Sequence, residues 1–228
     1  MTQAPDAGGA RGSFITFEGV EGAGKTTRSL ALVDALAGMG FGVSHTREPG
    51  GTPLAEGIRR LLLDPSLEVP PAAELMLYLA SRAANVECVV RPALAAGRIV
   101  VCERYSDATL AYQVSGRGLD GRFVEEACGF ATGGLAPDLT ILLDLDPESG
   151  MARLGTRAGG PDRIEREDLD FHRRVRNGYL AMAGGNPRFR VVDASLPAGR
   201  VDAMILDMVV ESLGLRNGNR AHGLPGEV

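Results

Sequence analysis

Residues 19–26 read GVEGAGKT, which is a complete G-x-x-x-x-G-K-[ST] phosphate-binding loop. The apolar run SFITFE at residues 13–18 precedes the loop, and apolar residues at helical spacing follow it over residues 25–38. A strand that enters the loop and a helix that leaves it are the context in which this sequence holds phosphates. The stretch therefore predicts a strand–loop–helix unit that binds a nucleoside triphosphate, but it does not specify the reaction.

The loop also contains the only lysine of the chain, Lys25, among 24 lysine and arginine residues. Lysine carries a compact charge that reaches between phosphates from a tight loop, whereas arginine carries a bulky planar fork. We expect Lys25 to span the β- and γ-phosphates and the Thr26 hydroxyl to bind Mg²⁺. The predicted triphosphate-binding residues are Gly19, Glu21, Gly22, Ala23, Gly24, Lys25, Thr26 and Thr27.

Short apolar runs alternate with helical stretches along the rest of the chain. Strands are predicted at residues 13–18, 42–45, 98–103, 138–144 and 189–193, and helices at 25–38, 53–63, 72–96 and 197–213. This alternation predicts an α/β fold like that of the P-loop NTPases, with a doubly wound parallel sheet of about five strands flanked by helices. Ligands bind beyond the carboxyl ends of such strands, so the residues after each strand are candidate site residues.

Length and composition narrow the function classes. The 228 residues suit one α/β domain, which we expect at residues 13–214 between flexible tails at 1–12 and 215–228. The net charge of −5 disfavours general nucleic-acid binding, and no apolar run reaches the roughly 20 residues of a membrane span. The three cysteines lack metal-site spacing, which predicts free thiols and a cytoplasmic location.

A GTPase switch is disfavoured because two required sequences are missing. The D-x-x-G stretch lies upstream of the loop at residues 6–9, and a guanine-binding N-K-x-D is impossible because Lys25 is the only lysine. The loop therefore predicts a kinase or another ATP-driven enzyme. A kinase for small phosphates must neutralise two phosphate groups and exclude water from the group that moves.

An arginine-rich segment downstream suits that requirement. Seven arginines lie between residues 153 and 176, and the first part of the segment is rich in glycine. We interpret residues 153–166 as a closing lid in which Arg157 and Arg163 neutralise charge, whereas for Arg153 a catalytic and a surface role are equally balanced. The other arginines are expected on a solvated helix face, paired with neighbouring acids: Arg166, Arg173, Arg174 and Arg176.

Several motifs together resemble the bacterial thymidylate kinases over residues 14–213. They are FEGVEGAGKTT at 17–27, TREPGGT at 46–52, ASR at 80–82, ERY at 103–105, AYQ at 111–113 with GRG at 116–118, and DRIE at 162–165. The resemblance implies ATP-dependent phosphorylation of dTMP to dTDP, with ATP as phosphoryl donor and Mg²⁺ as cofactor. It also implies a homodimer formed through apolar helix faces.

The resemblance assigns four residues to the thymine base. Tyr78 would stack on the ring, and Arg82 would donate to thymine O4 from the same helix face, four positions later. The family usually has Phe at the position of Tyr78, and stacking survives that change although the hydroxyl needs a partner. Thr109 and Gln113 would lie near thymine N3 and O2.

The resemblance also assigns residues to the sugar and the acceptor phosphate. Tyr112 would occupy the space of a ribose 2′-hydroxyl, and Glu21 would bind the 3′-hydroxyl. Arg59 would bind the dTMP phosphate, and Glu48 would lie near that phosphate and the metal. Arg104, directly after a strand, would bridge the acceptor phosphate and the transferring group.

The implied catalytic residues are Lys25, Glu103, Arg104, Arg157 and Arg163. Glu103 departs from the family pattern, which usually has Asp before this arginine, so its carboxylate is one methylene longer. Thr26 and Glu103 are the implied metal-binding residues. The family has one arrangement with Arg inside the phosphate loop and another with Gly there and arginines in the lid. Gly22 places this chain with the second, bacterial arrangement.

Three other functions stay open from the sequence alone. The first is a kinase for another nucleoside monophosphate, such as dUMP, dCMP or AMP. The second is an ATP-dependent ligase or carboxylase with the same loop, and the third is a nucleotide-sensing module without catalysis. Discrimination between dTMP and dUMP rests on one methyl group, which is worth only about 1–3 kcal/mol.

Overall fold

The computed structural model describes residues 11–155 and 160–215 of the chain. Within that part of the chain, strands lie at Phe14–Glu18 (β1), Val43–Arg47 (β2), Ile99–Glu103 (β3), Leu139–Asp144 (β4) and Phe189–Asp193 (β5). The helices are Lys25–Gly38 (α1), Pro53–Leu63 (α2), Pro71–Asn85 (α3), Arg91–Ala95 (α4), Ser106–Thr109 (α5), Gly121–Thr132 (α6), Pro147–Leu154 (α7), Leu169–Ala183 (α8) and Ala198–Ser212 (α9). The described part of the chain also contains two π-helical segments. Val86–Val90 continues α3, and Leu110–Gly116 continues α5.

The described strands form one five-stranded parallel sheet in the order β2-β3-β1-β4-β5. The first half of the chain fills one side of β1, and the second half fills the other side. The direction of winding therefore reverses at β1, whose carboxyl end lies between those of β3 and β4. A reversal of this kind leaves a crevice above the strands, where ligands bind. The predicted doubly wound parallel sheet is confirmed.

Two elements differ from their predicted bounds by more than one residue at an end. Strand β2 extends to Arg47, because its pairing with β3 continues through Thr46 opposite Cys102 and Arg47 opposite Glu103. The helix predicted at 72–96 is interrupted by the π-helical segment before α4 begins. Pro92 lies in the first turn of α4, where the missing backbone N–H is tolerated, whereas it would break a continuous helix.

The core covers both faces of β1, which is buried along its whole length. Ile15 and Phe17 belong to a cluster that includes Leu36 of α1, whereas Phe14 packs with Val90 of the π-helical segment. Because successive residues of a strand face opposite sides of the sheet, these contacts place helices on both faces. The central strand is therefore a rigid support for the loop that leaves its carboxyl end.

Candidate active site

Two adjoining cavities open at the carboxyl end of the sheet. The first, here called the phosphate cavity, is lined by loop residues such as Gly24, Lys25 and Thr26. The second, here called the base pocket, is lined by residues that include Tyr78 and Gln113. The residues that line both cavities are Glu21, Glu48, Arg59, Arg104 and Asp162.

The phosphate loop leads directly into α1. Gly24 has φ of 87°, in the left-handed region that favours glycine, and α1 begins at the next residue. Within the described residues no side chain caps this helix, so its first amides face the phosphate cavity without a side-chain acceptor. Uncapped amides at a helix N-terminus attract anions through their partial positive charge.

Lys25 lies folded back over its own loop. Its Nζ donates to Val20 O at 2.8 Å and to Gly19 O at 3.1 Å. Burial and the charge of Arg104 lower the pKa of Lys25 to about 8, although nearby glutamates oppose them. Neutral carbonyls are weaker partners for an ammonium group than phosphate oxygens, so an incoming phosphate can replace these contacts.

Gly22 leaves room for a close contact between the loop and α7. Its φ is 71°, and a Cβ atom at this position would lie 2.2 Å from Gly150 O. A side chain is therefore excluded here by sterics as well as by backbone conformation. Arg153 of α7 donates to Gly22 O at 3.4 Å and to Ala194 O at 3.1 Å, and it lines the phosphate cavity. The loop thus receives an arginine from α7.

The structure describes one of the two predicted lid arginines. Arg157 lies outside the described residues. Arg163 donates from Nε to Leu62 O at 2.8 Å, and its Nη2 lies 2.6 Å from Glu74 Oε2. Arg163 lines neither the phosphate cavity nor the base pocket, so its proposed contact with the transferring group stays a prediction.

Thr26 and Glu103 meet at the edge of the phosphate cavity. Thr26 Oγ1 donates to Glu103 Oε2 at 2.6 Å, and His45 Nε2 lies 3.3 Å from Glu103 Oε1. Burial acts to raise the pKa of Glu103, but hydrogen bonds from His45 and Thr26 lower it below its ordinary value. The pair therefore presents a hydroxyl and an ionised carboxylate side by side, which are oxygen ligands of the kind that Mg²⁺ prefers.

Arg104 stands at the junction of the two cavities. Its Nη2 donates to Glu21 Oε1 at 2.5 Å, and its guanidinium carbon lies 4.8 Å from the centre of the Tyr112 ring. The Tyr112 hydroxyl donates to the same Glu21 oxygen at 3.0 Å. Burial acts to raise the pKa of Glu21, but the charges of Arg104 and Lys25 lower it to about 2. Three residues predicted to contact the acceptor thus form one cluster.

The backbone of Arg104 is held in an unusual conformation. Its φ is 63°, the left-handed region that non-glycine residues rarely adopt. The Arg104 amide donates to Phe17 O at 2.9 Å, and the next amide, that of Tyr105, donates to Glu18 Oε1 at 2.7 Å. Tyr179 donates to the other Glu18 oxygen at 2.8 Å. Hydrogen bonds on both sides therefore keep Arg104 aimed at the junction.

Arg82 is the deepest charged group of the base pocket, with only 1% of its surface exposed. Nε donates to Glu48 Oε2 at 2.7 Å, Nη1 to Thr109 Oγ1 at 2.8 Å and Nη2 to Tyr105 O at 2.8 Å. Burial acts to lower the pKa of Arg82, but the charge of Glu48 raises it above its ordinary value. Glu48 Oε1 accepts from Asn85 at 3.1 Å, so both Glu48 oxygens are used inside the protein.

The remaining predicted acceptor residues also border the base pocket. Tyr78 and Gln113 line its wall, and burial raises the pKa of the Tyr78 hydroxyl. Gln113 Nε2 donates to Glu74 Oε1 at 2.9 Å. Arg59 Nη1 donates to Pro49 O at 3.0 Å and lines both cavities. The predicted thymine and phosphate residues thus border one connected space.

Sequence reasoning missed several residues that border or support this space, among them four charged residues. Arg47 lines the phosphate cavity, and Asp162 lines both cavities. Both belong to motifs that indicated the family, so their motif membership was an available signal. Glu18 and Glu74 are fully buried behind the site. Glu18 carried a signal as an acid at the end of an apolar strand, whereas Glu74 carried none, because its arginine partners are distant in sequence.

Known proteins resemble this chain over most of its length. The thymidylate kinase family model matches residues 17–205. A thymidylate kinase from Deinococcus radiodurans is 50% identical over 203 residues, which cover 89% of this chain and 98% of that protein. One from Gloeobacter violaceus is 53% identical over 185 residues, which cover 80% of this chain and 87% of that protein.

A solved structure of a thymidylate kinase also matches this chain. The crystal structure of thymidylate kinase from Ehrlichia chaffeensis has a TM-score of 0.71 and 30% identity, and the match covers 87% of this chain and 99% of that chain. The residues matched by the family model include every residue that lines the two cavities. The chain belongs to the thymidylate kinase family.

Proposed function

We propose that the phosphate cavity holds ATP and the base pocket holds dTMP, so that the γ-phosphoryl group passes between them at Arg104. As a thymidylate kinase, the chain phosphorylates dTMP to dTDP with ATP as donor. The observation that carries the assignment of the two cavities is that Arg104 and Glu21 line both of them. Donor and acceptor phosphates would therefore meet at a positive charge that is already in position.

Charge neutralisation is the main chemical task at this junction. The acceptor phosphate is an anion at neutral pH, so it attacks the γ-phosphorus without a strong general base. Two anions repel each other, and Arg104 and Arg59 border the space in which they would meet. The contacts of Arg104 with Glu21 and Tyr112 hold the guanidinium before substrates bind, which reduces the reorganisation that the reaction requires.

The phosphate loop binds the β- and γ-phosphates of the donor ATP. Lys25 exchanges its contacts with Gly19 O and Val20 O for oxygens of the β- and γ-phosphates, and the amides at the start of α1 bind the same anion. Arg153 and Arg47 add positive charge to the walls of the phosphate cavity. Arg157 and Arg163 are proposed to neutralise the remaining negative charge of the phosphates when ATP is bound. Arg163 must leave Glu74 to do so.

A magnesium ion fits the oxygen atoms at Thr26 and Glu103. The two side chains touch at 2.6 Å, both line the phosphate cavity, and Glu103 is ionised. Mg²⁺ in kinases is usually held by one or two carboxylates together with substrate phosphates and water. When bound, the ion would neutralise phosphate charge, while Thr26 and Glu103 hold it at the edge of the cavity.

The base pocket suits a pyrimidine that presents a carbonyl oxygen to the Arg82 guanidinium. Arg82 donates to Glu48, Thr109, Tyr105 and Cys128, and it lines the pocket as a cation of fixed position. A fixed donor disfavours the amino group that cytosine carries at the corresponding position. Tyr112, held by Glu21, narrows the space beside the sugar and favours a deoxyribose.

We also propose that the chain forms a homodimer through the outer faces of α2, α3 and α6. Helix α3 packs against both of the others, so the three helices form one surface. The pairs Leu54 with Leu61 and Phe123 with Phe130 are each seven positions apart, so each pair lies on one helix face. These side chains are 63%, 49%, 51% and 92% exposed. Light scattering should give twice the chain mass, and Phe130→Glu should lower it.

We propose a cytoplasmic location on the basis of the cysteines. Cys88, Cys102 and Cys128 are all free thiols, as expected in a reducing compartment. None of the helices within residues 11–155 and 160–215 is both long enough and apolar enough to cross a membrane.

The decisive experiment is an ADP-release assay with a panel of nucleoside monophosphates. ATP and Mg²⁺ are supplied with dTMP, dUMP, dCMP or AMP, and ADP formation is followed by a coupled assay. We expect the largest kcat/KM for dTMP, a value for dUMP that is lower by roughly tenfold or more, and little turnover of the others. A ligase would ignore every monophosphate, and a sensing module would bind nucleotides without releasing ADP.

A further inference from the structure

Glu74 of α3 is a buried carboxylate directly behind the base pocket. It has no exposed surface and does not line either cavity. Its Oε1 accepts from Gln113 Nε2 at 2.9 Å and from Arg117 Nε at 3.0 Å. Its Oε2 accepts from Arg117 Nη2 at 3.1 Å and lies 2.6 Å from Arg163 Nη2. One carboxylate therefore joins the wall of the base pocket to two arginines.

These contacts keep Glu74 charged. Burial acts to raise its pKa, but the hydrogen bonds and charge of Arg117, with the contacts of Gln113 and Arg163, lower the pKa below the ordinary value. Arg117 is itself held in place, because its Nη2 lies 2.7 Å from Glu167 Oε1 and its guanidinium carbon lies 4.6 Å from the centre of the Phe171 ring. An ionised carboxylate has no proton to donate, so it can only accept hydrogen bonds.

The acceptor-only character of Glu74 determines which way the Gln113 amide points. Gln113 can meet Glu74 only through Nε2, because two oxygens without a proton between them repel each other. The carbonyl Oε1 must then lie on the other edge of the amide. Gln113 is 1% exposed, lines the base pocket, and accepts no side-chain hydrogen bond from residues 11–155 or 160–215. The pocket therefore receives a hydrogen-bond acceptor at this position.

We propose that Glu74 is a positioning residue for base selection: it orients the Gln113 amide so that the carbonyl oxygen faces the base, which favours bases with a ring N–H. Thymine and uracil carry such an N–H at N3, whereas cytosine carries a lone pair there. This proposal rests on the proposed function, because it requires a pyrimidine monophosphate in the base pocket.

The test is the substitution Glu74→Gln, which keeps the size of the side chain but can donate as well as accept. Either orientation of the Gln113 amide then becomes possible. We expect the ratio of kcat/KM for dTMP to that for dCMP to fall by about tenfold, the effect of one misdirected hydrogen bond. The ratio for dTMP to dUMP should stay constant, because both bases carry the N3 proton. The KM for ATP should also stay constant.

A matched control separates orientation from general loosening. Glu167→Gln makes the same chemical change in the other carboxylate that contacts Arg117, but Glu167 has no contact with Gln113. It should leave both ratios at the wild-type value. An effect of Glu74 that acts through Arg163 would change kcat for every monophosphate by the same factor and would not change either ratio.

Failure of the Glu74 proposal and failure of the proposed dTMP site give different results. If Glu74→Gln changes all three monophosphates by the same factor, or changes the dTMP to dUMP ratio as well, Glu74 does not orient Gln113 and the proposal is wrong. If the wild-type chain fails to phosphorylate dTMP, the assignment of the base pocket fails first, independently of the variant.

A measurement on the wild-type chain covers the case in which the variant does not fold. Gln113 is one of two glutamines in the chain, the other being Gln3. Selective ¹⁵N labelling of glutamine therefore gives two pairs of side-chain amide signals, which Gln113→Leu assigns. We expect the Gln113 amide protons to exchange slowly with solvent and one of them to shift downfield. A fast-exchanging Gln113 amide with ordinary shifts would overturn the proposal.

Discussion

The phosphate loop and the base pocket hold their principal cations in opposite ways. Within residues 11–155 and 160–215, the Lys25 ammonium donates only to two carbonyls of its own loop, five and six positions away in the chain. Arg82 contacts Glu48, Thr109 and Tyr105, which lie 34, 27 and 23 positions away. The partners of Lys25 are neutral, whereas Arg82 has a buried carboxylate as counter-charge.

This difference indicates two ways of preparing a site. The loop holds Lys25 on weak neutral partners that an anionic ligand displaces. Lys25 therefore makes its strong electrostatic contacts only when the ligand is bound. The base pocket keeps its cation fully paired, so its shape exists before the ligand arrives. The first arrangement suits a donor whose charge must be handled during transfer, and the second suits recognition of an uncharged base.

The largest expected effect comes from removing the loop cation. Lys25→Ala should lower kcat by about 10³-fold or more, because no other side chain of the loop can neutralise the donor phosphates. Its thermal unfolding midpoint should stay close to the wild-type value, since the hydrogen bonds of Lys25 are to neutral carbonyls and Glu21 keeps its contact with Arg104. The matched control is Arg60→Ala, at an exposed arginine of α2. Near-normal turnover of Lys25→Ala would contradict the role of the loop.

Removing the base-pocket cation should affect the fold as well as the ligand. Arg82→Ala leaves Glu48 buried without a counter-charge, which should lower the free energy of unfolding by about 3–5 kcal/mol. It should also weaken dTMP much more than ATP in calorimetric titrations. Replacing both members, as Arg82→Met with Glu48→Leu, should restore most of the stability in urea unfolding without restoring dTMP binding. Equal losses for dTMP and ATP would contradict the base-binding role of Arg82.

The two cations should also respond differently to pH. Only a protonated Nζ binds phosphate strongly, so ATP affinity should fall as pH rises through the free-enzyme pKa of Lys25, about 8. The expected loss is about fivefold between pH 8 and 9, because the protonated fraction of a group with this pKa falls by that factor. Glu48 raises the pKa of Arg82 above its ordinary value, so dTMP affinity should stay constant over that range. Lys25→Met should abolish the slope for ATP, and parallel slopes for the two ligands would contradict the comparison.

The smallest expected effect is the difference in stability between two variants of Arg104, which stands between the two regions. Its φ of 63° strains any residue with a Cβ atom, so Arg104→Gly should be more stable than Arg104→Ala by about 1 kcal/mol in urea unfolding. Both variants should lose most of their activity. The same pair of substitutions at Arg60, within α2, should give the opposite order, because glycine destabilises a helix interior. Equal stability of the two Arg104 variants would show that the conformation is not strained.

Local sequence signals predicted the scaffold well. The loop, its strand and its helix follow from a contiguous motif, and the five parallel strands follow from short apolar runs bounded by helices. The strand ends were less predictable, because pairing of Arg47 with Glu103 in the neighbouring strand extends β2. The interruption at Val86–Val90 was also missed, because apolar spacing does not distinguish a π-helical segment from an α-helix.

The side-chain partners were less predictable than the site residues themselves. Family motifs placed Arg82, Gln113 and Glu21 near the acceptor, and the structure brings all three to the base pocket. No motif indicated that Glu48 would pair with Arg82 or that Arg163 would lie against Glu74. Such pairs form between elements that are distant in the chain, so their distances depend on how the helices pack.

The sequence by itself determined that this protein binds a triphosphate on an α/β scaffold, because eight contiguous residues hold every group that the loop needs. It also indicated the acceptor through motifs shared with a family. Only the tertiary structure decided how the acceptor site is held. Glu48 orients Arg82, Glu21 orients Arg104, and Glu74 meets Gln113 because packing brings charges from separate elements into one buried region. In that low-dielectric interior each charge requires a partner, and that partner fixes its direction.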